Sequence, residues 1–440
     1  LIFLALRWPL DGLFGFYVLL VPFDNLLSTG SFGTITKYLG LIAGAFLLLA
    51  LVRRRRISFA SSPLRILCVL FLWMFASTLW AIDQKAALAM LPTYGGLMLL
   101  YGVLSMIPLS PRQFGVLLFL VAAGGICAAA YGAHAFYSDP SFSQESLVMR
   151  RLVVQIGDNF IDPNHFSDAL LFPVAIVTMW ALRTRRLLVR LGSVAALALL
   201  VVAIMFSGSR EGLTALVVIA AYYLWRSRYR VRLAIAIASV AVVAASVQSS
   251  VFARFSSALE TGGSGRTSIW AVALEAAKHR LFQGYGIGNF TEAFNLFYLD
   301  VHQPYPYGWN SPAHNLIVHY IVELGLVGVI LIGAFLWAQF RSLRDVEPDS
   351  QLYDYRIVME AVLLAIVTVS MTIDLFQYKY AWLAFAMAAL LRNAALADQQ
   401  SAAMRTAKSA MMPERSARSA MRALPRSPRS RNTRLSTSES

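Results

Sequence analysis

The sequence predicts an all-α protein: a polytopic membrane helix bundle of about 12 transmembrane helices, with one large external loop containing a helix. Composition points there first. Of 440 residues, 58% are hydrophobic and only 14% are charged, against about 45–50% and about 25% in a soluble domain. Apolar runs of about 17–25 residues, enough to cross roughly 30 Å of hydrocarbon, recur along the chain. The arginines gather in short clusters between those runs, as they do in cytoplasmic loops of membrane proteins. Lipid offers no partner to an unpaired backbone group, so the spans must be helices or a closed barrel.

Spans are expected at roughly 3–22, 36–52, 64–82, 86–107, 113–137, 166–182, 187–206, 211–225, 233–248, 313–340, 356–376 and 378–392. The first is interrupted by Arg7 and Asp11, and the eighth and twelfth are short. With both termini inside, the clusters at Arg53 to Arg56, Arg183 to Arg186, Arg226 to Arg232 and Arg341 to Arg344 all fall on the cytoplasmic side. The loops holding Asp83, Asp139 to Asp162, Ser207 to Arg210 and Val251 to Pro312 then fall outside. This distribution also disposes of nucleic acid as a partner, because the net charge of +15 is spread over loop clusters rather than one binding face. Cys68 and Cys127 lie in apolar runs, with neither a disulfide framework nor metal-ligand spacing around them.

The chain therefore divides into N-terminal transmembrane helices (1–137), a core (138–340) with external loops at 138–165 and 249–312, C-terminal transmembrane helices (341–392), and a basic tail (393–440). The tail is rich in Ser, Ala, Arg and Pro and is expected to be disordered and cytoplasmic, close enough to the membrane to meet anionic lipid. Within the larger loop, Thr267 to Phe282 reads as a helix. Ile269, Ala273, Ala277 and Leu281 would line one face, with Glu275 and His279 on another. Lys278, His279 and Arg280 suit its last turn, and Gly284 follows as a stop.

Two arginines break a local rule. Arg210 precedes Glu211 at the start of a span, and Arg266 stands at the start of the loop helix. A cation at a helix N-terminus is unfavourable. A bound anion would reverse the sign, because free N–H groups and guanidinium forks would converge on it; pairing of Arg210 with an acid and solvation of Arg266 are the alternatives. His314 opens an apolar run and should lean neutral there, which is what a proton acceptor needs; capping or interfacial placement would explain it too. Glu323 and Asp374 are ionisable residues within apolar spans, functional or interhelical hydrogen-bonding. Trp270, Tyr298, Tyr305, Tyr307 and Trp309 could stack on sugars or form an interfacial aromatic belt.

Several of these segments together resemble the bacterial O-antigen ligase and polysaccharide polymerase superfamily. They are Ser209-Arg210-Glu211-Gly212, Gly265-Arg266 with Trp270, Leu281 to Phe290 (LFQGYGIGNF), His314-Asn315, and Glu323-Leu324-Gly325-Leu326-Val327-Gly328; Asp162-Pro163-Asn164-His165-Phe166 is similar to a further pattern of that superfamily. The resemblance covers roughly residues 140 to 340 and implies a metal-independent, inverting glycosyltransferase with no cofactor. It would work in the bacterial cytoplasmic (inner) membrane, with its site on the external, periplasmic face. The implied partners are an undecaprenyl-diphosphate-linked glycan donor, a glycan or glycolipid acceptor, and membrane lipids. The implied catalytic residues are His314, Arg210 and Arg266; Trp270, Asn315 and Glu211 are expected to join both arginines in binding substrate. Arg254 and Gly265 have the spacing seen in some polymerases, which with the second external loop favours polymerase over ligase. A transporter or flippase of lipid-linked glycan is the alternative, but no internal repeat supports it.

The orientation is testable by labelling. Ser264→Cys should react with an impermeant thiol reagent on intact cells and Ser227→Cys should not; the opposite pattern would overturn it.

Overall fold

The computed structural model describes residues 9–28, 33–53, 61–138, 151, 152, 154–156, 159–226, 230, 231, 234, 265–302 and 308–422, with backbone alone at 9, 25, 154–156, 159, 160 and 405–422. The expected span 233–248, and with it Arg254, Arg150, Tyr305 and Tyr307, lies essentially outside these residues.

A π-helical turn (Pro9–Phe14) leads into α1 (Gly15–Leu20) and a 3-10 turn (Val21–Leu27). There follow α2 (Ile35–Arg53), α3 (Ser62–Ser77), α4 (Gln84–Met106) and α5 (Pro111–Ser138). A short antiparallel pair, β1 (Val154–Ile156) and β2 (Asn159–Ile161), precedes α6 (Pro163–Arg183), α7 (Leu187–Ser207) and α8 (Arg210–Arg226). Beyond them come α9 (Arg266–His279), α10 (Phe290–Leu296), α11 (Leu316–Glu323), α12 (Gly325–Ser342), α13 (Tyr353–Ser370) and α14 (Lys379–Arg422).

Among the described residues, seven helices are long and apolar enough to cross a membrane: α2, α4, α5, α6, α7, α12 with its extension to Asp345, and the Lys379–Met404 part of α14. The bundle carries large apolar side chains on its outside, among them Leu72, Leu188, Ile330 and Trp337, as a surface facing hydrocarbon does. The protein is thus a polytopic helical membrane protein. Fewer long spans appear among the described residues than the expected twelve. The segment expected as the first span is divided into short turns, α3 and α8 are only 16 and 17 residues long, and the span 313–340 is split in two.

That split has a local cause. Gly325 takes φ +67, and a Cβ there would lie 2.2 Å from the Phe282 carbonyl oxygen. The break frees backbone groups that would otherwise stay in the helix. They are satisfied by the turns after α9: Leu326 N donates to Leu281 O (2.7 Å), Tyr285 N to Val322 O (2.8 Å) and Gly286 N to Glu323 O (2.8 Å). Trp73 Nε1 donates to Leu324 O at 2.9 Å.

The same segment docks α9 and α10 on one end of the bundle. Ile82 N donates to Tyr285 O, Arg280 Nη1 to Trp80 O, and Asn289 reaches both the backbone N and O of Asp83. A separate apolar core of Ile269, Val272, Ala273, Ala276, Phe290 and Phe294 packs beneath, against Val318 and Val322 of α11. This face of α9 follows the expected periodicity, except that the helix ends at His279 and leaves Leu281 exposed. At the opposite end of the bundle sit Arg183 with Asp354, Arg356 with Glu360, and Arg392 with Asp345.

The first part of the tail expected to be disordered is helical, and residues 423–440 lie outside the described residues. Asn393 donates to the carbonyls of Ser105 (2.8 Å) and Ile107 (3.0 Å), Gln399 to that of Asp345, and Ala394 and Ala395 are buried. The helix continues to Arg422. Alanine, the strongest helix former, dominates the stretch whose polarity suggested disorder.

The break offers a stability test. Gly325→Ala should lower the thermal midpoint in detergent by about 5 °C or more, since it combines a left-handed φ with a backbone clash. Gly333→Ala, where nothing lies within 4 Å of the new Cβ, should leave the midpoint unchanged. Equal midpoints for both variants would contradict this account of the break.

Candidate functional site

The site grows from the turn between α7 and α8. Gly208 closes α7 in the left-handed conformation, where a glycine carries no Cβ penalty. Ser209 N donates to Ser207 Oγ, and Ser209 Oγ accepts from Gly212 N, both at 3.1 Å. The hydroxyl of Ser209 thereby caps α8. Glu211 sits in the first turn of α8, where an acid suits the positive end of the helix. Its side chain is only 6% exposed, and its Oε1 accepts from Arg266 Nη2 at 2.5 Å. Arg266 is the first residue of α9. One carboxylate thus joins the starts of two helices, and Arg210, next to it in sequence, stands at the same junction. This is how the chain accommodates an arginine at the N-terminus of α9.

A third guanidinium enters from the segment before β1. Arg151 Nε donates to Ser207 O at 2.9 Å and its Nη2 to Asn164 Oδ1 at 2.8 Å. Asn164 lies in the first turn of α6, whose cap is Asp162. The charge of Arg151 was visible in the sequence, but not its destination, which depends on pairing between segments over 50 residues apart.

His314 approaches from the other side. It has φ +49, a conformation rare for a non-glycine residue and costly enough to need support from its surroundings. On its C-terminal side, Asn315 Oδ1 accepts from Ile317 N and Val318 N, capping α11, and Asn315 Nδ2 donates to Met371 O at 2.8 Å. On its N-terminal side, Trp270 Nε1 donates to Ala313 O at 2.9 Å. Trp270 is one helical turn after Arg266, so the first turn of α9 carries both the partner of Glu211 and the anchor beside His314. Both Asn315 and Trp270, expected to bind substrate, make these bonds within the protein.

The imidazole of His314 is held below its ordinary pKa. Burial is the main cause and the charge of Arg266 the next; Glu211 and Asp162 oppose it, and His165 adds to the depression. His165, which the sequence placed only within the Asp162 to Phe166 pattern, is among the charges that act on His314. Its Nδ1 lies 3.2 Å from the Tyr380 hydroxyl and its ring 3.9 Å from that of Tyr378.

Other candidates gather elsewhere. Glu323 and Asp374 flank His319 at 3.2 and 3.7 Å in a buried cluster between α11 and the turn before α14. Glu323 Oε1 also accepts from Phe290 N at 3.1 Å, tying down α10. Trp309 packs on Tyr298 at 4.4 Å between ring centres. His279 stacks on Phe297. Among the described residues, no group of three or more His, Cys, Asp or Glu side chains has an arrangement suited to a metal ion.

Against known protein families, residues 195–333 match the model of the O-antigen ligase family. The match places this region of the chain in the O-antigen ligase and polymerase superfamily. It runs from within α7 into α12 and includes Arg210, Glu211, Arg266, Trp270, His314 and Asn315; Arg151 and His165 precede it. A comparison with curated proteins found no match.

The protonation of His314 can be read directly. Histidine NMR on the protein in nanodiscs should give a His314 midpoint below about 6.5, the unperturbed value. Glu211→Gln should lower it further, because the Glu211 carboxylate favours the imidazolium. A midpoint above the unperturbed value, or an upward shift in the variant, would contradict the electrostatics described.

Proposed function

We propose that this O-antigen ligase-type membrane protein transfers glycan from an undecaprenyl-diphosphate-linked donor to a hydroxyl of a growing cell-surface polysaccharide, at the outer face of the bacterial cytoplasmic membrane. The observation that carries the proposal is the Glu211–Arg266 pair: it joins the starts of two helices, and both its charges act on His314, whose pKa is depressed. Such a donor has a lipid tail, a diphosphate and a sugar. It needs apolar helices, a cationic spot and an aqueous face in that order.

In this reading Arg210 and Arg266 hold the diphosphate. Arginine remains charged and can engage two oxygens at once. Glu211 takes one N–H of the Arg266 fork and aims the rest, and the N–H groups at the start of α9 add positive potential. The acceptor hydroxyl attacks the anomeric carbon, and a new C–O bond forms on the face opposite the leaving group. The bond from that carbon to the phosphate oxygen breaks, and the diphosphate departs with its electron pair. The arginines stabilise the charge that grows on it. His314, neutral because of its burial and of Arg266, takes the hydroxyl proton. One displacement of this kind inverts the anomeric centre, and its positive charge comes from arginine rather than a metal. Trp270 and Asn315 hold the loop that places His314.

Reconstitution with purified lipid-linked glycan and a defined acceptor tests the assignment. His314→Ala should leave donor binding nearly intact while transfer falls about 10²-fold or more, as expected on losing a general base. Arg266→Lys should also fail, because it keeps the charge and loses the fork. His134→Ala, whose imidazole meets Ser138 at the end of α5, should transfer normally. Wild-type rates in His314→Ala would show that the proton goes elsewhere.

A further inference from the structure

The turn that leaves α9 carries two apolar side chains that are exposed among the described residues, Leu281 and Phe282, the second by 68%. The depth of this turn is fixed by the helix it rests on. Leu281 O accepts from Leu326 N in the first turn of α12. A Cβ on Gly325 would lie 2.2 Å from Phe282 O, and one on Gly284 would lie 2.4 Å from Glu323 O. Backbone packs directly on backbone here, so the turn cannot be displaced along the axis of α12.

The level of Gly325 in a bilayer follows from length. From Gly325 to Arg341, in the last turn of α12, the helix rises about 24 Å. The hydrocarbon core is about 30 Å thick. With Arg341 held at the opposite border, Gly325 does not stand clear of the hydrocarbon, and neither does the turn packed against it.

The neighbouring elements lie at the same level. On α3, Leu72 and Phe75 are exposed, and the stripe runs past the helix end at Ser77 to Leu79, which is 76% exposed. Spacings of three and four keep these residues on one face, turned to hydrocarbon. Leu79 adjoins the α9 turn, because Trp80 O accepts from Arg280 Nη1 and Trp80 Nε1 donates to Gln283 O, both at 3.2 Å. The rings of Trp73 and Trp80 are 5.4 Å apart, and tryptophan favours the membrane border. Lys278, His279 and Arg280 immediately precede Leu281. Basic residues next to an apolar pair match the phosphates and acyl chains of a leaflet.

We propose that Leu79, Leu281 and Phe282 form a membrane wedge. It seats the turn after α9 at the acyl-chain border of the leaflet at this end of the bundle, with the basic end of α9 level with the lipid phosphates. The occupant of the patch is lipid, because the patch continues the hydrocarbon-facing stripe of α3 and lies at the depth that the length of α12 sets. The wedge also acts on α9. That helix is tied at its start to Glu211 through Arg266 and at its end to α12, so it lies across the end of the bundle, and the wedge sets its height. Under the transferase reading this keeps Arg266 near the depth of the lipid phosphates, but the wedge does not depend on that reading.

Spin labelling of the whole protein in nanodiscs tests the wedge, on a background in which Cys68 and Cys127, both exposed, are replaced by serine. Labels enter through Phe282→Cys and Leu79→Cys. Collisions are read with oxygen, which concentrates in hydrocarbon, and with a polar nickel chelate, which stays in water. Leu72→Cys on α3 supplies the hydrocarbon reference. Asp349→Cys, at an exposed position between α12 and α13, supplies the aqueous one. At both wedge positions the oxygen-to-chelate ratio should exceed that at Asp349 about tenfold or more, since hydrocarbon excludes a polar solute, and the label should lie within about 10 Å of the headgroup boundary. Leu281→Cys reads the same turn if Phe282→Cys does not fold. A ratio near that of Asp349 at either position would put the patch in water and overturn the wedge. Few collisions with both reagents at either position would show that protein covers the patch, whether another part of this chain or a second copy, and would overturn it as well.

Discussion

The ion pair between Glu211 and Arg266 is the constraint around which this end of the molecule is organised. Both side chains are largely withdrawn from solvent, so removing either partner leaves a charge without its counterion, a loss of about 3–5 kcal/mol in comparable buried pairs. The pair holds the first turn of α9 against the first turn of α8. Because Trp270 follows on the same face of α9 and grips Ala313, the position of His314 depends on it too. A pair of this kind is poor value as a stabilising device, since desolvation consumes most of its Coulombic gain. Its presence at the junction of two helix starts is better explained by what it orients than by what it contributes to folding.

The remainder of the fold supplies two rigid boundaries for that junction. On one side, the break between α11 and α12 lets the segment after α9 pair with helix backbone, which fastens α9 and α10 to the bundle at Leu281 to Gly286. The His319–Glu323–Asp374 cluster reinforces it, and Asn315 ties the start of α11 to Met371. On the other side, α6 begins at Asp162 and presents Asn164 to Arg151 and His165 to Tyr380. Groups that must act on one substrate are thus carried on helix ends braced by hydrogen bonds, a more precise support than a free loop.

Much of this was legible in the sequence, for reasons that also mark its limits. Apolar runs located α2 and α4 to α8 to within a few residues because hydrocarbon thickness sets their length. Arg210 and Arg266 stood out because a cation at a helix start conflicts with the peptide dipoles. The break at Leu324-Gly325 was hidden, since hydropathy continues unbroken across it and records nothing about backbone dihedrals. The contact of His165 with Tyr380 joins residues 215 apart, which no local pattern can report. Asn315 was expected as a substrate contact through the resemblance, whereas an Asn before an apolar run is also a helix cap, and its side chain makes that cap. The stretch after 392 was read from its polarity, although its alanines favour a helix.

The most direct test of the central role of Glu211 and Arg266 is a double-mutant cycle read in two ways, by thermal stability and by binding of undecaprenyl diphosphate to the protein in nanodiscs. Glu211→Gln and Arg266→Gln should each destabilise the protein, and the double variant should recover much of that loss because no buried charge is left unpaired. Diphosphate binding should stay low in both variants that lack Arg266. Wild-type binding by the double variant would reduce the pair to a structural brace and contradict its assignment to the donor.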